Sequence, residues 1–134
     1  MILFDSSAFI NLIKKSMLEP LANGYILDLT IYESINALWK ECYLLKRISV
    51  DDTVEFLNIM INVFPYVNIM TIEGKEREVL ELSLKEGLTI YDASYLCLAE
   101  KHGFILVTDD RCLREIAKKY VVTLNTKDFL KHYR

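Results

Sequence analysis

Phe104-Ile105-Leu106-Val107-Thr108-Asp109-Asp110 is the stretch whose reading decides the fold of this 134-residue chain. Its first four residues are apolar without alternation, and it ends in a hydroxyl and two acids. A strand with one wet face alternates apolar and polar residues. An unbroken apolar run needs cover on both faces, as strands of a parallel sheet have between two layers of helices. Ile2-Leu3-Phe4-Asp5 repeats the form at the N-terminus: a short apolar run followed by an acid. Tyr25-Ile26-Leu27 reads as another strand, and Tyr66 to Thr71 and Val121 to Leu124 as two more.

Between these runs the pattern turns helical. Helices are expected near Ser7 to Lys15, from Thr30 to about Lys46, and from a Ser49 cap to just before Pro65. The Thr30 helix carries Ile35, Leu38, Trp39, Cys42 and Leu45 at the spacing of one apolar face. Glu73 to Glu86 is amphipathic with Gly87 at its end, Thr89 opens a helix that stops at Gly103, and Arg111 to Tyr120 is a further helix. A short helix closes the chain. Strand and helix alternate throughout, which predicts a single domain over 1–134 of the α/β class: three layers, α/β/α, around a short-stranded, mainly parallel sheet.

Composition narrows the function classes. With 52% hydrophobic and 26% charged residues the chain reads as globular, and no apolar run is long enough to span a membrane. The formal net charge of -3 argues against a protein that grips nucleic acid by bulk charge, yet a carboxylate site that binds metal would carry this sign. Cys42, Cys97 and Cys112 are odd in number and far apart. Together with the lack of a basic-then-apolar leader, they lead us to expect a reduced, cytoplasmic protein without membrane contact. His102 and His132 are the only histidines. His102, before Gly103, reads as a residue of a helix C-terminus.

In open parallel sheets, ligands bind beyond the carboxyl ends of the strands. Asp5 stands there after the first strand, and Asp109 and Asp110 after the Phe104 to Val107 strand. Two more acids come from an internal echo: Thr30-Ile31-Tyr32-Glu33 and Thr89-Ile90-Tyr91-Asp92 each open a helix. Here two readings stand side by side. Thr-x-x-Glu is a capping box, in which the acid returns to the backbone N–H of the cap, and the shorter Asp92 fits that role less well. Alternatively, both acids join Asp5 and Asp110 around a cation. If the four converge, a hard divalent ion such as Mg²⁺ or Mn²⁺ is the economical explanation, because gathered carboxylates repel and zinc-type ligands are missing.

At this point the residues resemble a known family. Asp5-Ser6-Ser7 resembles the opening motif of PIN-domain nucleases, and Glu33 resembles their acid at the head of the second long helix. Tyr91-Asp92-Ala93-Ser94-Tyr95-Leu96-Cys97-Leu98-Ala99 is similar to the family's Y-D-A-x-Y-L-x-L-A, and Thr108-Asp109-Asp110-Arg111-Cys112-Leu113 to its T-x-D-x-x-L. These motifs occur in order along the whole chain.

The resemblance implies a PIN-like fold and hydrolysis of phosphodiester bonds with Mg²⁺ or Mn²⁺. It implies that Asp5, Glu33, Asp92 and Asp110 are both catalytic residues and metal ligands. The T-x-D register leaves Asp109 as a peripheral or outer-sphere ligand at most. The resemblance further implies that Thr108 and one of Ser6 or Ser7 orient the carboxylates. Asn36 is a similar helper or simply an exposed or core-satisfying amide.

Substrate contact falls to local basic groups. Arg111 and Arg114, within a turn of Asp110, are the leading candidates for RNA binding. Lys14, Lys15, Lys118, Lys119, Lys127, Lys131 and Arg134 follow, each equally readable as a solvated helix face. A small stand-alone chain of this kind is similar to the toxin half of a VapBC toxin–antitoxin pair, which implies an endoribonuclease, a VapB-like antitoxin and a homodimer. The apolar Val54 to Phe64 segment reads as an interface or as plain core. The alternatives are a non-toxin nuclease acting in RNA processing or on structured DNA, and a non-catalytic signalling or binding module. A phospho-acceptor module would carry its acidic pair after the first strand, and here the pair follows the strand ending at Val107.

Overall fold

A computed structural model describes residues 1–133. Five strands form one sheet in the order β3-β2-β1-β4-β5: β1 Ile2–Phe4, β2 Tyr25–Leu27, β3 Asn68–Met70, β4 Ile105–Val107 and β5 Thr123–Leu124. Every pairing is parallel, with Ile2, Leu3 and Phe4 in register with Ile105, Leu106 and Val107. Among the described residues the α-helices are α1 Ser6–Lys14, α2 Asp28–Trp39, α3 Val50–Val63, α4 Glu76–Glu86, α5 Ile90–His102, α6 Arg111–Ala117 and α7 Thr126–His132.

The period-2 geometry of the strands divides the interior into two cores. Leu3, Leu27 and Leu106 pack with Val79 of α4, the buried run Ala93 to Ala99 of α5, and Leu113 and Ala117 of α6. Their neighbours Phe4, Ile26 and Val107 point the other way, into a core with Phe9 and Leu12 of α1, Leu38 of α2, Met60 of α3 and Phe129 of α7. The chain is therefore a three-layer α/β/α domain with a fully parallel sheet, and the unalternated strands are apolar on both faces because both are covered. Helix α5 is buried nearly all round its middle, so it shows almost no amphipathic pattern of its own. It ends at Gly103, whose φ of 67° an L side chain adopts only with strain.

The layout also creates a switch point. From β1 the chain passes through α1 to β2 on one side, and from β4 through α6 to β5 on the other. Since β1 and β4 are neighbours, their connections leave in opposite directions and open a crevice at their carboxyl ends.

Two sequence expectations change. Helix α2 starts at Asp28 and stops at Trp39, after which Lys40 to Leu44 form a π-helical turn. Its buried positions are Thr30, Ser34 and Leu38. The apolar face read from spacing is largely outward, with Ile35 41%, Trp39 48% and Leu45 43% exposed. Periodicity identifies an apolar face but not what covers it. Helix α3 splits the other way: Met60 and Val63 are buried, while Val54 and Ile61 are half-exposed. Cys97 is buried, Cys42 half-buried and Cys112 exposed, and all three thiols are free. The ring of His102 stacks on Phe104. Among the described residues no helix is long and apolar enough to cross a membrane.

Candidate active site

The crevice between β1 and β4 is built on Asp5. Its backbone N–H bonds to the Val107 carbonyl at 3.1 Å, so it leaves β1 still tied to β4. Its carboxylate caps α1: Oδ1 accepts from the Ala8 N–H at 2.9 Å and the Ser7 hydroxyl at 2.6 Å, while Oδ2 accepts from the Thr108 hydroxyl. Asp5 is only 4% exposed. Burial pushes its pKa up from the ordinary 3.8 to about 6, against the lowering effect of those three hydrogen bonds, and the nearby Asp109 charge adds to the rise.

Thr108 links the two strand ends. Besides donating to Asp5, its hydroxyl accepts the Asp110 N–H at 3.0 Å, and its carbonyl accepts from Arg114 Nη1 at 3.2 Å. Asp110 caps α6 by accepting the Leu113 N–H at 3.0 Å through Oδ1; among the described residues its other oxygen has no hydrogen-bond partner. Ser7 contacts both acidic segments, donating to Asp5 and accepting the Asp109 N–H at 2.9 Å. Ser6 makes no side-chain hydrogen bond among the described residues.

Asp109 has a different set of partners. Its carboxylate accepts from Asn11 Nδ2 at 2.6 Å and from the Thr126 hydroxyl and N–H at 2.6 and 2.8 Å. Partial burial works to raise its pKa, but the Thr126 and Asn11 hydrogen bonds and the Arg114 charge outweigh it and hold the group below its ordinary value. Asp109 therefore ties α1, the strand end and the start of α7 together.

The two echo acids differ from one another in how they are held. Thr89 caps α5 and accepts the Asp92 N–H at 3.1 Å, but the Asp92 carboxylate does not return to it, so the reciprocal box is not formed. Thr30 is not the N-cap residue, which is Leu27. Because α2 begins at Asp28, Thr30 lies inside the first turn, where its hydroxyl accepts the Leu27 N–H at 3.0 Å and meets the Tyr95 hydroxyl at 2.7 Å. Tyr95 in turn donates to Glu33 Oε1 at 2.8 Å. The result is a directed chain from Leu27 N–H through Thr30 and Tyr95 to Glu33, whose members polarise one another away from water. The capping-box reading of Glu33 is thereby overturned.

Tyr95 is 1% exposed, and burial holds its phenol far above the ordinary range, so it remains a donor at every physiological pH. The Tyr91 to Ala99 motif by itself gives Tyr95 no role. The available signal was its place three residues after Asp92, on the same helix face.

The acids sense one another. Asp92 is pushed from 3.8 to about 6, first by partial burial and then by the charges of Asp110 and Glu33. Among the described residues the ion pairs are Lys14–Glu41, Lys118–Glu115, Lys119–Glu86 and Lys131–Asp128, so none of the four acids has a cationic side chain as partner. Nor do any three His, Cys, Asp or Glu side chains there form a finished metal cage. Asp5 and Asp110 follow strand ends, Asp92 lies in the first turn of α5 and Glu33 in the second turn of α2, and Asp92 senses both Asp110 and Glu33. Hard carboxylate donors in excess of local positive charge are the chemistry that a divalent cation fits.

Arg111 is exposed on the first turn of α6, while Arg114 is half-buried and committed to Thr108. Asn36 is exposed and shares a cavity of about 250 Å³ with Leu29, Tyr32, Glu33 and Tyr91. The candidate cation Arg134 lies outside the described residues.

A family model for the PIN domain matches residues 2–119. Exonuclease VapC9 of Pyrobaculum aerophilum is 42% identical over 86 residues, 64% of this chain and 61% of that protein, so the match spans less than two thirds of the relative's length. Ribonuclease VapC3 of the same organism is 37% identical over 93 residues, 68% of this chain and 69% of the relative. The crystal structure of PAE2754 from P. aerophilum superposes with a TM-score of 0.78 at 31% identity, covering 97% of this chain and 92% of that one. A toxin–antitoxin complex from Klebsiella pneumoniae shares the fold, with a TM-score of 0.57 and 23% identity over 82% of this chain and 87% of that one.

Proposed function

The chain belongs to the PIN domain family, and from that premise we propose that it is a metal-dependent endoribonuclease, the toxin of a VapBC-type pair. The observation that supports this reading is that Asp92 senses the charges of both Asp110 and Glu33 while Asp5 is buried at the neighbouring strand end, with no cationic side chain paired to any of the four among the described residues. The names of its relatives, a ribonuclease and an exonuclease of the VapC group, support it.

In this reading Asp5, Asp92 and Asp110 hold Mg²⁺ or Mn²⁺, with Glu33 beside them. Such an ion, when bound, supplies a water acidic enough to be deprotonated near neutral pH and offsets charge on the phosphate. The protein residues have separate tasks. Ser7, the Ala8 N–H and Thr108 fix both oxygens of Asp5, so the carboxylate cannot turn away from the crevice. Thr108 also sets the Asp110 backbone. Glu33 is clamped by Tyr95 through Oε1, which leaves Oε2 to orient the attacking water and take its proton. Asp109 is a brace and not a ligand, Arg114 positions Thr108, and exposed Arg111 is the cation available to RNA phosphate.

Purified protein incubated with linear and circular single-stranded RNA, in Mn²⁺ or in EDTA, tests the proposal alongside Asp5→Asn and Asp110→Asn. Cleavage of both RNAs in Mn²⁺, lost in EDTA and in both variants, is expected. Cutting of linear RNA alone would make the enzyme an exonuclease. Cutting in EDTA, or full activity in both variants, would sink the mechanism. The toxin assignment adds arrested growth on expression and recovery of a small bound antitoxin.

A further inference from the structure

We propose that Tyr32 and Tyr91 form the walls of a subsite for an unpaired nucleobase, beside the nucleotide whose phosphate is cut. This deepens the proposed function and rests on it. The two tyrosines are the third residues of the Thr-Ile-Tyr-acid echo, each immediately before an acid, Glu33 or Asp92. Both are far more exposed than a structural tyrosine needs to be, at 77% and 58%. Neither has an aromatic ring partner among the described residues. Yet both border the same two cavities, one of about 250 Å³ reaching Glu33 and Asn36, the other of about 270 Å³ backed by Leu29, Ile72 and Ile90.

The charge of this hollow selects its occupant. Its lining includes the carboxylates of Glu33 and Asp28 and no lysine or arginine, so a phosphate is repelled from it. A polynucleotide whose phosphate lies at the metal site must therefore offer the hollow an uncharged part. A base is flat, with a π face for tyrosine and a polar edge for the Asn36 amide, which presents both a donor and an acceptor. Stacking on aromatic rings tolerates every base, while an edge contact adds preference, and both require the base to be unpaired. The subsite thus favours single-stranded substrate and contributes to binding more than to the chemical step.

The test combines a readout that needs no cleavage with one that does. A short single-stranded RNA carrying one 5-iodouridine is irradiated with the protein in EDTA and in Mn²⁺, and the crosslinked peptides are mapped. Cleavage kinetics are measured for Tyr32→Leu, Tyr91→Leu and the corresponding Phe variants, which keep the ring. Crosslinks to Tyr32 or Tyr91 are expected. So is a KM increase of roughly tenfold in each Leu variant, with kcat within about twofold and near-normal KM in the Phe variants.

Crosslinks confined to other regions, or unchanged KM in both Leu variants, overturn the subsite even if the protein is a good ribonuclease. Crosslinking to the tyrosine pair by a wild-type protein that cuts no RNA leaves the subsite standing while the nuclease reading falls. Leu variants that keep RNA affinity but lose inhibition by a copurified small protein would assign the hollow to a peptide, and the proposal would be wrong.

Discussion

Glu33 and Asp92 follow the same three residues and are held in unlike ways, and the difference is chemical. Glu33 takes a hydrogen bond from Tyr95, whose buried phenol stays protonated, so its carboxylate is oriented at every working pH. We expect Tyr95→Phe to leave KM nearly unchanged and to lower kcat roughly tenfold, the scale on which partners of site carboxylates act. Stability should fall by about 1–2 kcal/mol, because the buried Thr30 hydroxyl loses its acceptor. Activity equal to wild type would remove Tyr95 from the site.

Asp92 has no such donor and lies near two other charges. Its pKa, like that of Asp5, is raised from 3.8 to about 6. A carboxyl whose folded-state pKa is raised favours folding while it is protonated. That contribution is complete below about pH 3.8 and is lost as pH rises through about 6. In EDTA, Asp92→Asn should therefore raise the melting temperature at pH 7.5 by about 4 °C, after discounting for its partial exposure, and by much less at pH 4. The variant should be inactive, and Mn²⁺ should stabilise it less than wild type. A lower melting temperature at pH 7.5 would refute the repulsion.

Among the elements, the short joint after β4 matters most. Three of its residues divide the work: Thr108 serves Asp5 and Asp110, Asp110 caps α6, and Asp109 ties the joint to Asn11 of α1 and Thr126 of α7. The joint is rigid because each carboxylate has its own set of donors. Asp109→Ala removes the anchor shared by α1 and α7, and we expect a loss of about 2 kcal/mol in urea unfolding. Cleavage with saturating Mn²⁺ should remain within a fewfold of wild type. A loss as deep as that of Asp110→Asn would make Asp109 a metal ligand.

For the molecule as a whole, the unspent apolar surface gathers on α2, the π-helical turn after it and the start of α3. Trp39 and Tyr43 stack there and are exposed, with Leu44, Val50 and Val54 also outward. Exposed apolar area on this scale marks a surface that associates, and we propose that a second copy of the chain covers it. Sedimentation of the wild type should give a dimer, and Trp39→Glu with Val54→Lys a monomer that melts on its own at about the same temperature after dilution is taken into account. A wild type that sediments as a monomer at tens of micromolar would disprove the dimer.

The sequence by itself determined the α/β class, because unalternated runs such as Ile105 to Val107 demand cover on both faces, whatever the rest of the chain does. It also determined where to look for chemistry, since Asp5 and Asp110 directly follow strands and a strand end is a local property. Only the tertiary structure decided the rest. Thr30 and Thr89 open identical tripeptides, but Asp28 extends α2 by a turn, which moves Thr30 off the N-cap position and makes it a link to Tyr95, 65 residues away. The outward face of α2 kept its apolar spacing without gaining a core. Spacing along a chain records which residues can share a face. What that face meets depends on contacts between distant segments, and those form only when the sheet closes between its two layers of helices.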